Sequence, residues 1–329
     1  MDSVKGLEFV KYSPEMRREW DEFVKRSRNG TFLFERGYMD YHSDRFADCS
    51  WLAFKNGKLR AMLPANLTPD GVLHSHQGLT YGGWILPMEH VDGAELLEIF
   101  RLGTLLWNDE GIVELDYKPV PHIYAHKGAE EDIYALYRLG AIMSGCCLSV
   151  AVNLREGYRL SEMQRRHLKK TVGLNWHISE EEHGQDFMEM LQDCLSDRHS
   201  AAPVHTLSEL ELLRERFPGN IRIFTLRLDG DMLPDAGVCV YDTGRVAHMQ
   251  YIATTRRGRE LNLLTPLFVR LMDDIFAGRE WFDFGTSNEE GGRILNPGLL
   301  RQKFSYGGGG VIYPRYSLRL SNADNLSHE

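Results

Sequence analysis

The sequence predicts an α/β (α+β) protein of two similar domains, each with a mixed, mostly antiparallel sheet flanked by helices. Three observations support this prediction. The 329 residues are enough for about two domains. Short apolar stretches between glycine-containing turns indicate hairpins, and longer segments with apolar residues three or four positions apart indicate helices. The same order of turn, strand, turn, helix and strand occurs twice, at offsets of about 170 residues.

The elements of the first half follow from local signals. Ser13 followed by Pro14 predicts a helix start, because serine is a preferred N-cap residue and proline fits the first helical turn. The Asn56-Gly57 pair between two apolar stretches predicts a hairpin. The predicted elements are strands over 7–12, 50–55, 59–67, 72–80 and 112–117, and helices over 15–26, 37–46 and 91–107.

The second half ends in the stretch around which the protein is organised. It predicts a strand from Val246 to Ala253, a basic turn to Arg259, an amphipathic helix from Glu260 to Ala277 and a strand from Trp281 to Gly285. A helix that begins after a glycine-containing turn offers unpaired N–H groups, so an anion site is predicted there. The earlier predicted elements are helices over 159–173, 180–195 and 208–216, and strands over 221–228 and 236–241.

The two halves match in their turns and in several polar residues. Gln77 matches Gln250, the turn from Thr80 to Gly83 matches the turn from Thr255 to Gly258, and Asp116 matches Asp283. We therefore predict an N-terminal domain over 1–155 and a C-terminal domain over 156–329.

Composition limits the class of protein. The net charge of −9 gives no general attraction to nucleic acid. The start of the chain lacks the apolar region of a signal peptide, and no apolar run approaches the roughly 20 residues that span a bilayer, so a cytoplasmic location without a membrane span is expected. The five cysteines lack metal-ligand spacing and are interpreted as reduced packing residues, with no metal site expected. The basic run over 159–170 is either a solvated helix face or a phosphate-binding patch.

Three stretches of the second half, two of the first and the element order carry a resemblance to a known family. They are RHSAAPVHTLSELELLRERFPGNIRIF (198–224), AHMQYIATTRRGRELN (247–262), WFDFGTSNEEGGRILNPGLLRQKFSYGG (281–308), WDEFVKRSRNGTFLF (20–34) and LPAN (63–66). The repeated unit resembles the GNAT acyltransferase fold, and the chain resembles the tandem-domain, Fem-like (FemAB-type) branch of that superfamily.

The resemblance implies an N-acyltransferase that moves an acyl or aminoacyl group from an activated donor to an amine. The donor would be an acyl-CoA, such as acetyl-CoA, or an aminoacyl-tRNA, and the acceptor a small-molecule or cell-wall-precursor-like amine in a groove between the domains. The alternative is a non-catalytic GNAT-like binding or assembly module that has lost donor chemistry. The oligomeric state stays open.

The donor loop of this superfamily usually reads Gln or Arg, two residues, Gly, one residue, then Gly or Ala. Here Thr255 takes the first place, Gly258 fits, and Glu260 takes the last. A carboxylate there repels pyrophosphate unless a neighbouring arginine neutralises it, so the donor's identity stays open. The residues expected to bind the donor are Thr255, Arg256, Arg257, Gly258, Arg259 and Asn262.

The Fem-type enzymes also have a Phe-Lys-x-x-Phe-Gly pattern late in the second domain, which corresponds to Gln302–Gly307 here. The resemblance implies that Lys303 contacts donor phosphate or the developing negative charge. The alternative is an exposed lysine near a helix end, favoured by the helix dipole.

Other polar residues are candidates from their positions on predicted strands and turns. His74 and His76 share a face if the strand alternates regularly, so His76 is a candidate catalytic residue beside a substrate-binding His74. His248 lies on the matching strand. Asp116 and Asp283 are either bases or carboxylates that fix a loop. The remaining expected substrate-binding residues are Gln77, Tyr81, Gly82 and Gln250, with a tight turn as the alternative role of the glycine.

Overall fold

The computed structural model describes residues 6–89, 91–199 and 203–321, with the side chains of 197–199 excluded. Part of one quoted stretch, residues 200–202, therefore lies outside the described residues. The chain forms two compact units: unit 1 comprises Met1–Cys147, Glu290–Arg293 and Ile312–Glu329, and unit 2 comprises Leu148–Glu289 and Ile294–Val311. Both units consist of several separate segments of the chain, so they do not test a single boundary. The predicted domain boundary between residues 155 and 156 therefore stays a prediction.

Both units contain strands and helices. The strands are β1 Leu7–Lys11, β2 Trp51–Lys55, β3 Lys58–Leu63, β4 Asn66–Leu67, β5 Val72–His74, β6 Glu114–Tyr117, β7 Ile142–Asn153, β8 Trp176–Glu180, β9 Ile221–Leu228, β10 Ala236–Asp242, β11 Val246–Thr254, β12 Trp281–Thr286, β13 Asn288–Glu289, β14 Ile294–Leu295 and β15 Gly309–Arg319. The α-helices are α1 Arg17–Arg26, α2 Arg36–Met39, α3 Gly93–Asp109, α4 Glu131–Arg138, α5 Glu162–Thr171, α6 Gln185–His199, α7 Leu207–Arg216, α8 Arg256–Glu260, α9 Leu264–Arg270 and α10 Pro297–Phe304.

Unit 1 contains an antiparallel sheet in the order β1-β2-β3 and a second group of strands in the order β4-β5-β6-β15. In the second group, β5 and β6 are parallel, and the other pairs are antiparallel. Helix α3 packs against α4. Trp84, Phe100 and Trp107 lie fully buried in the core between these elements.

Unit 2 contains strands in the order β7-β12-β11-β10-β9-β8. Only β11 and β12 are parallel among these pairs. Helix α9 packs against β10 and α5, α6 against β11, and α7 against β9. The predicted fold class is therefore confirmed: each unit has a mixed, mostly antiparallel sheet flanked by helices.

Both units contain the same four-strand arrangement. In unit 1 it is β4-β5-β6-β15, and in unit 2 it is β10-β11-β12-β7, each with one parallel pair in the middle. The parallel pairs place His74 opposite Asp116 and His248 opposite Asp283. The match of the two aspartates is confirmed by this register, and the two histidines are matched as well, which the sequence comparison missed.

Several predicted elements are wrong in extent. The strand predicted over 59–67 is two strands, β3 and β4, in different sheets, and the helix predicted over 37–46 is α2 followed by a 3-10 turn over Asp40–His42. The strand predicted over 72–80 ends at His74, because His76 adopts a left-handed backbone with φ 68°. The helix predicted over 260–277 is interrupted at Asn262, which has φ 59°, and continues as α9 and a π-helical turn over Leu271–Ile275. Alternation of His74 and His76 on one strand face therefore does not hold.

The predicted match between the turns at Thr80 and Thr255 is also wrong. Helix α8 begins directly after Thr255, but α3 begins at Gly93, ten residues beyond Gly83, and Asp92 is its N-cap. Sequence analysis also missed β8, α4 and β7. No described helix has the length and apolar character that crossing a membrane requires.

Candidate functional site

Unit 2 contains a cavity of about 350 Å³, which we call the unit 2 cavity. It lies beside the end of β11 and the loop that carries α8, so it includes the place where the sequence predicted a donor site. Its described lining residues are Met163, Gln164, His167, Cys194, Ile252, Thr254, Gly258, Arg259, Asn262, Leu264, Thr265, Phe268, Phe284, Leu299, Gln302, Lys303 and Tyr306. Gly258, Arg259, Asn262 and Lys303 are among the residues that the sequence selected.

Lys303 lies near the end of α10 and is 6% exposed. Its Nζ donates hydrogen bonds to the carbonyl oxygens of Gly285 at 2.8 Å and Thr286 at 2.7 Å. Burial lowers the pKa of Lys303 to about 8, although the charge of Asp283 opposes this. The alternative of an exposed lysine is therefore wrong: this is a buried ammonium group at a cavity wall.

The carbonyls that hold Lys303 are positioned by Asp283. Asp283 is fully buried and accepts hydrogen bonds from the Ser149 hydroxyl, from the backbone N–H of Gly285 at 3.1 Å and from His248 Nδ1 at 2.8 Å. The register of β12 shifts between Asp283 and Thr286, and Gly285 has φ 74°. These bonds favour the loop-fixing role over the role of a base.

The three arginines of the turn have different environments. Arg259 lines the cavity and donates from Nη1 to the carbonyl oxygen of Thr254 at 2.9 Å. Arg257 is paired with Asp231 and Asp235 and does not line the cavity. Arg256 is 88% exposed and pairs with Glu260 at 3.0 Å, so the unfavourable carboxylate of the loop is partly neutralised.

The turn itself is held by Asp235. Thr255 caps α8, since its hydroxyl accepts from the N–H of Gly258 at 3.0 Å and donates to Asp235 Oδ1 at 2.6 Å. A Cβ at Gly258 would lie 2.2 Å from the carbonyl oxygen of Asp235. Packing within the chain therefore explains this glycine. The predicted anion site also has one free N–H group fewer. In the five-residue helix α8, the N–H of Gly258 already donates to the capping side chain of Thr255.

Several lining residues were missed from the sequence. Gln164 on α5 is buried, donates to the Ser305 hydroxyl at 2.8 Å and accepts from the Thr265 hydroxyl at 2.7 Å. Burial raises the pKa of Tyr306 to about 12, so its phenol stays protonated. His167 lies one turn after Gln164, and burial, together with Lys170, lowers its pKa. Of the sequence signals, only the basic run over 159–170 indicated this wall. Some residues of the run line the cavity, and others form a solvated helix face.

Three predicted residues of unit 1 line a second cavity of about 470 Å³, the unit 1 cavity, namely His74, Gln77 and Asp116. His74 Nδ1 lies 2.6 Å from Asp116 Oδ2, and Arg315 Nη2 donates to the same oxygen at 2.7 Å. Burial alone would raise the pKa of Asp116, but the hydrogen bonds from His74 and Arg315 hold it below its usual value. Asp116 is therefore an ionised, paired carboxylate.

The other predicted residues of unit 1 are internal. His76 is 3% exposed, and burial holds its pKa far below the usual value. Tyr81 is buried and donates to the Thr31 hydroxyl at 3.3 Å. A Cβ at Gly82 would lie 1.8 Å from the carbonyl oxygen of Ser75, which accounts for the glycine by packing. None of the three lies at a surface where a substrate could contact it.

Gln250 is half-buried and lies outside the described lining of the unit 2 cavity. It sits where the register between β10 and β11 shifts, between residues paired with Cys239 and Val240. All five cysteines are unpaired thiols. Within the described ranges, no three His, Cys, Asp or Glu side chains are grouped as metal ligands.

Comparison with known proteins agrees with this architecture. Residues 159–290 match the family described as Acetyltransferase (GNAT) domain. The fold is similar to the crystal structure of FemX, with a TM-score of 0.68 at 12% identity over 98% of this chain and 100% of that chain. It is also similar to L-PGS from Bacillus licheniformis, with a TM-score of 0.60 at 10% identity over 95% of this chain and 94% of that chain.

A tandem GNAT protein from the clavulanic acid biosynthesis pathway gives a TM-score of 0.52 at 12% identity, over 95% of this chain and 98% of that chain. A search of curated proteins gives no match. The chain thus has the fold of these tandem GNAT and Fem-type proteins, and residues 159–290 are similar to the GNAT acetyltransferase domain.

Proposed function

We propose that this protein is an N-acyltransferase that moves an acyl or aminoacyl group from a phosphate-bearing donor to an amine, and that the donor binds in the unit 2 cavity. One observation carries the proposal. The described lining includes two cations, Arg259 and Lys303, and no carboxylate. A cavity with this charge attracts the phosphates that acyl-CoA and aminoacyl-tRNA share.

The same charges suit acyl transfer to an amine. The attacking amine must be neutral, and nearby cations lower the pKa of an ammonium group. The carbonyl oxygen becomes negatively charged in the transition state, and a cation fixed before the reaction stabilises that charge. Lys303 is fixed by two carbonyl oxygens, so it is the residue we assign to negative charge on the donor.

His167 is the proton acceptor that we propose for this cavity. It lines the cavity, and its lowered pKa keeps the imidazole neutral near pH 7. The cation of Lys303 and the protonated phenol of Tyr306 are less suitable as bases. The acceptor is proposed to be a small-molecule or cell-wall-precursor-like amine, as the resemblance to the Fem-type branch implies.

The test is donor binding with matched arginine variants. Acyl-CoAs and charged tRNAs are screened by thermal shift, since a ligand that binds only the folded state raises the melting temperature. Arg259→Met is expected to weaken donor binding by about 10- to 100-fold, because it removes a charged contact worth roughly 1.5 to 3 kcal/mol. Arg270→Met is the control, because Arg270 lies outside the described lining and its exposed pair with Asp274 contributes little. Equal effects of the two variants would contradict the assignment, and no shift with any donor would favour the non-catalytic module.

A further inference from the structure

The walls of the unit 2 cavity that are not cationic are mostly apolar. Phe268 and Phe284 are 2% exposed, and their ring centroids are 5.1 Å apart. Tyr306 stacks on Phe284 at 5.1 Å with an interplanar angle of 25°. The other apolar lining residues are Met163, Ile252, Leu264 and Leu299.

We infer that the acyl group bound in this cavity is apolar and has no free amine, so the donor is an acyl thioester rather than an aminoacyl ester. This inference rests on the proposed function. It concerns the transferred group, whereas the proposed function concerns the reaction.

Charge is the first argument. An aminoacyl group carries an ammonium next to the carbonyl that reacts. In the described lining, no carboxylate is present to pair with that ammonium, and Arg259 and Lys303 repel it. Removing an unpaired ammonium from water is unfavourable, so a cavity for aminoacyl groups is expected to contain an acidic residue.

Apolar surface is the second argument. An alkyl chain gains affinity as it leaves water, by about fourfold for each methylene that becomes fully buried. The aromatic walls formed by Phe268 and Phe284 provide such a surface. The cavity volume of about 350 Å³ lies at the lower end of the range for small-molecule sites, so it has room for a branched acyl chain.

The reaction is balanced without a further reactant. The amine nitrogen forms a bond to the acyl carbon, and the carbon–sulfur bond breaks with its electron pair going to sulfur. The proton lost from nitrogen passes to the base and then to the thiolate. The products are an amide and a free thiol.

The test uses two donors that differ only in the amine. Binding of 4-methylpentanoyl-CoA and leucyl-CoA to the full chain is measured by isothermal titration calorimetry. The first is expected to bind at least tenfold more tightly. Equal or tighter binding of leucyl-CoA overturns the inference. Stabilisation by leucyl-tRNA without any binding of acyl-CoA overturns it too, although the proposed function then stands. Binding of no donor at all contradicts the proposed function itself.

The charge argument is also tested by changing the protein instead of the donor. Leu299 lines the cavity and is 38% exposed, so Leu299→Glu is expected to fold. The new carboxylate is expected to reduce the preference for 4-methylpentanoyl-CoA about tenfold. Leu212→Glu is the matched control, because Leu212 is 37% exposed on α7 and lies outside the described lining. An unchanged preference in Leu299→Glu overturns the charge argument.

Discussion

Lys303 donates a hydrogen bond from Nζ to the carbonyl oxygen of Gly285 at 2.8 Å, at the point where β12 leaves regular strand pairing. The positive φ of Gly285 turns the backbone, and Asp283 stabilises that turn by accepting the Gly285 N–H. His248 and Ser149 in turn donate to Asp283. The buried aspartate and the cavity lysine therefore belong to one hydrogen-bonded arrangement.

The activity of the protein is expected to fall as the pH rises through about 8, because burial lowers the pKa of Lys303 to about 8. Loss of the proton removes the charge that attracts the donor, so the donor KM should rise. Lys303→Met should bind the donor about tenfold less tightly at pH 7 and lack this pH dependence. A KM profile that is the same in both proteins would contradict the role of Lys303.

The same pKa shift has a consequence for stability. Between pH 8 and 10.5 the unfolded chain binds more protons at Lys303 than the folded protein does. The free energy of unfolding, relative to Lys303→Met, is therefore expected to rise with pH across this window. Urea unfolding at several pH values measures the difference, and a difference that falls with pH would show that the fold raises the pKa of Lys303 instead of lowering it.

Replacement of Asp283 by asparagine is expected to lower the free energy of unfolding by about 2 to 4 kcal/mol. The amide has one acceptor oxygen for the three donors that now bind the carboxylate. Ser149→Ala is the milder comparison and should cost about 1 kcal/mol, because a single donor is lost. Urea denaturation measures both, and a cost below that of Ser149→Ala would be inconsistent with this arrangement.

Gly258→Ala is expected to weaken donor binding and to destabilise the protein by about 1 to 3 kcal/mol, because the new Cβ would overlap the carbonyl oxygen of Asp235. The loop that carries Arg259 would have to move. Gly278→Ala is the control, since its Cβ would meet nothing within 4 Å. Melting temperatures and donor titrations of both variants provide the measurement, and equal results for the two would show that the loop tolerates the extra atom.

Because of Asp132 in unit 1, the free energy of unfolding is expected to decrease from about pH 4 to pH 7. Burial raises its pKa to about 7 from the ordinary 3.8, despite hydrogen bonds from the Tyr117 hydroxyl at 2.8 Å and the Ile133 N–H at 2.7 Å. The folded protein therefore binds more protons than the unfolded chain in this window, so ionisation opposes folding. Between pH 4 and 8, the free energy of unfolding of Asp132→Asn should rise by about 2 to 4 kcal/mol relative to that of the parent protein. A constant difference in the urea midpoint would contradict this.

Most of the helix and strand predictions followed from the local spacing of apolar residues. The hairpin around Asn56, the strand at Val246 and the helix before Trp107 are present with small changes at their ends. The helix after Thr255 differs because Asn262 adopts a left-handed backbone and Leu263 bonds to the carbonyl of Gly258. Apolar spacing contains no information on such a break.

The two His–Asp pairs show why the candidate sites were only partly predictable. His74 precedes Gln77 by three residues, and His248 precedes Gln250 by two, so a linear comparison that aligns the glutamines separates the histidines. The strand irregularity at Gln250 accompanies this difference. Arg315, which completes the unit 1 pair, lies 199 residues after Asp116.

The sequence by itself determined the duplicated order of elements and the chemical character of the turn at Thr255, because both are expressed over a few neighbouring residues. The tertiary structure decided that Arg259 lines the cavity while Arg257 binds Asp235, and that Lys303 is buried against Gly285. The contacts of Lys303 with Gly285 and of Arg257 with Asp235 join residues 18 or more positions apart. Burial and pairing across such distances arise only when the chain has folded, so no local pattern records them.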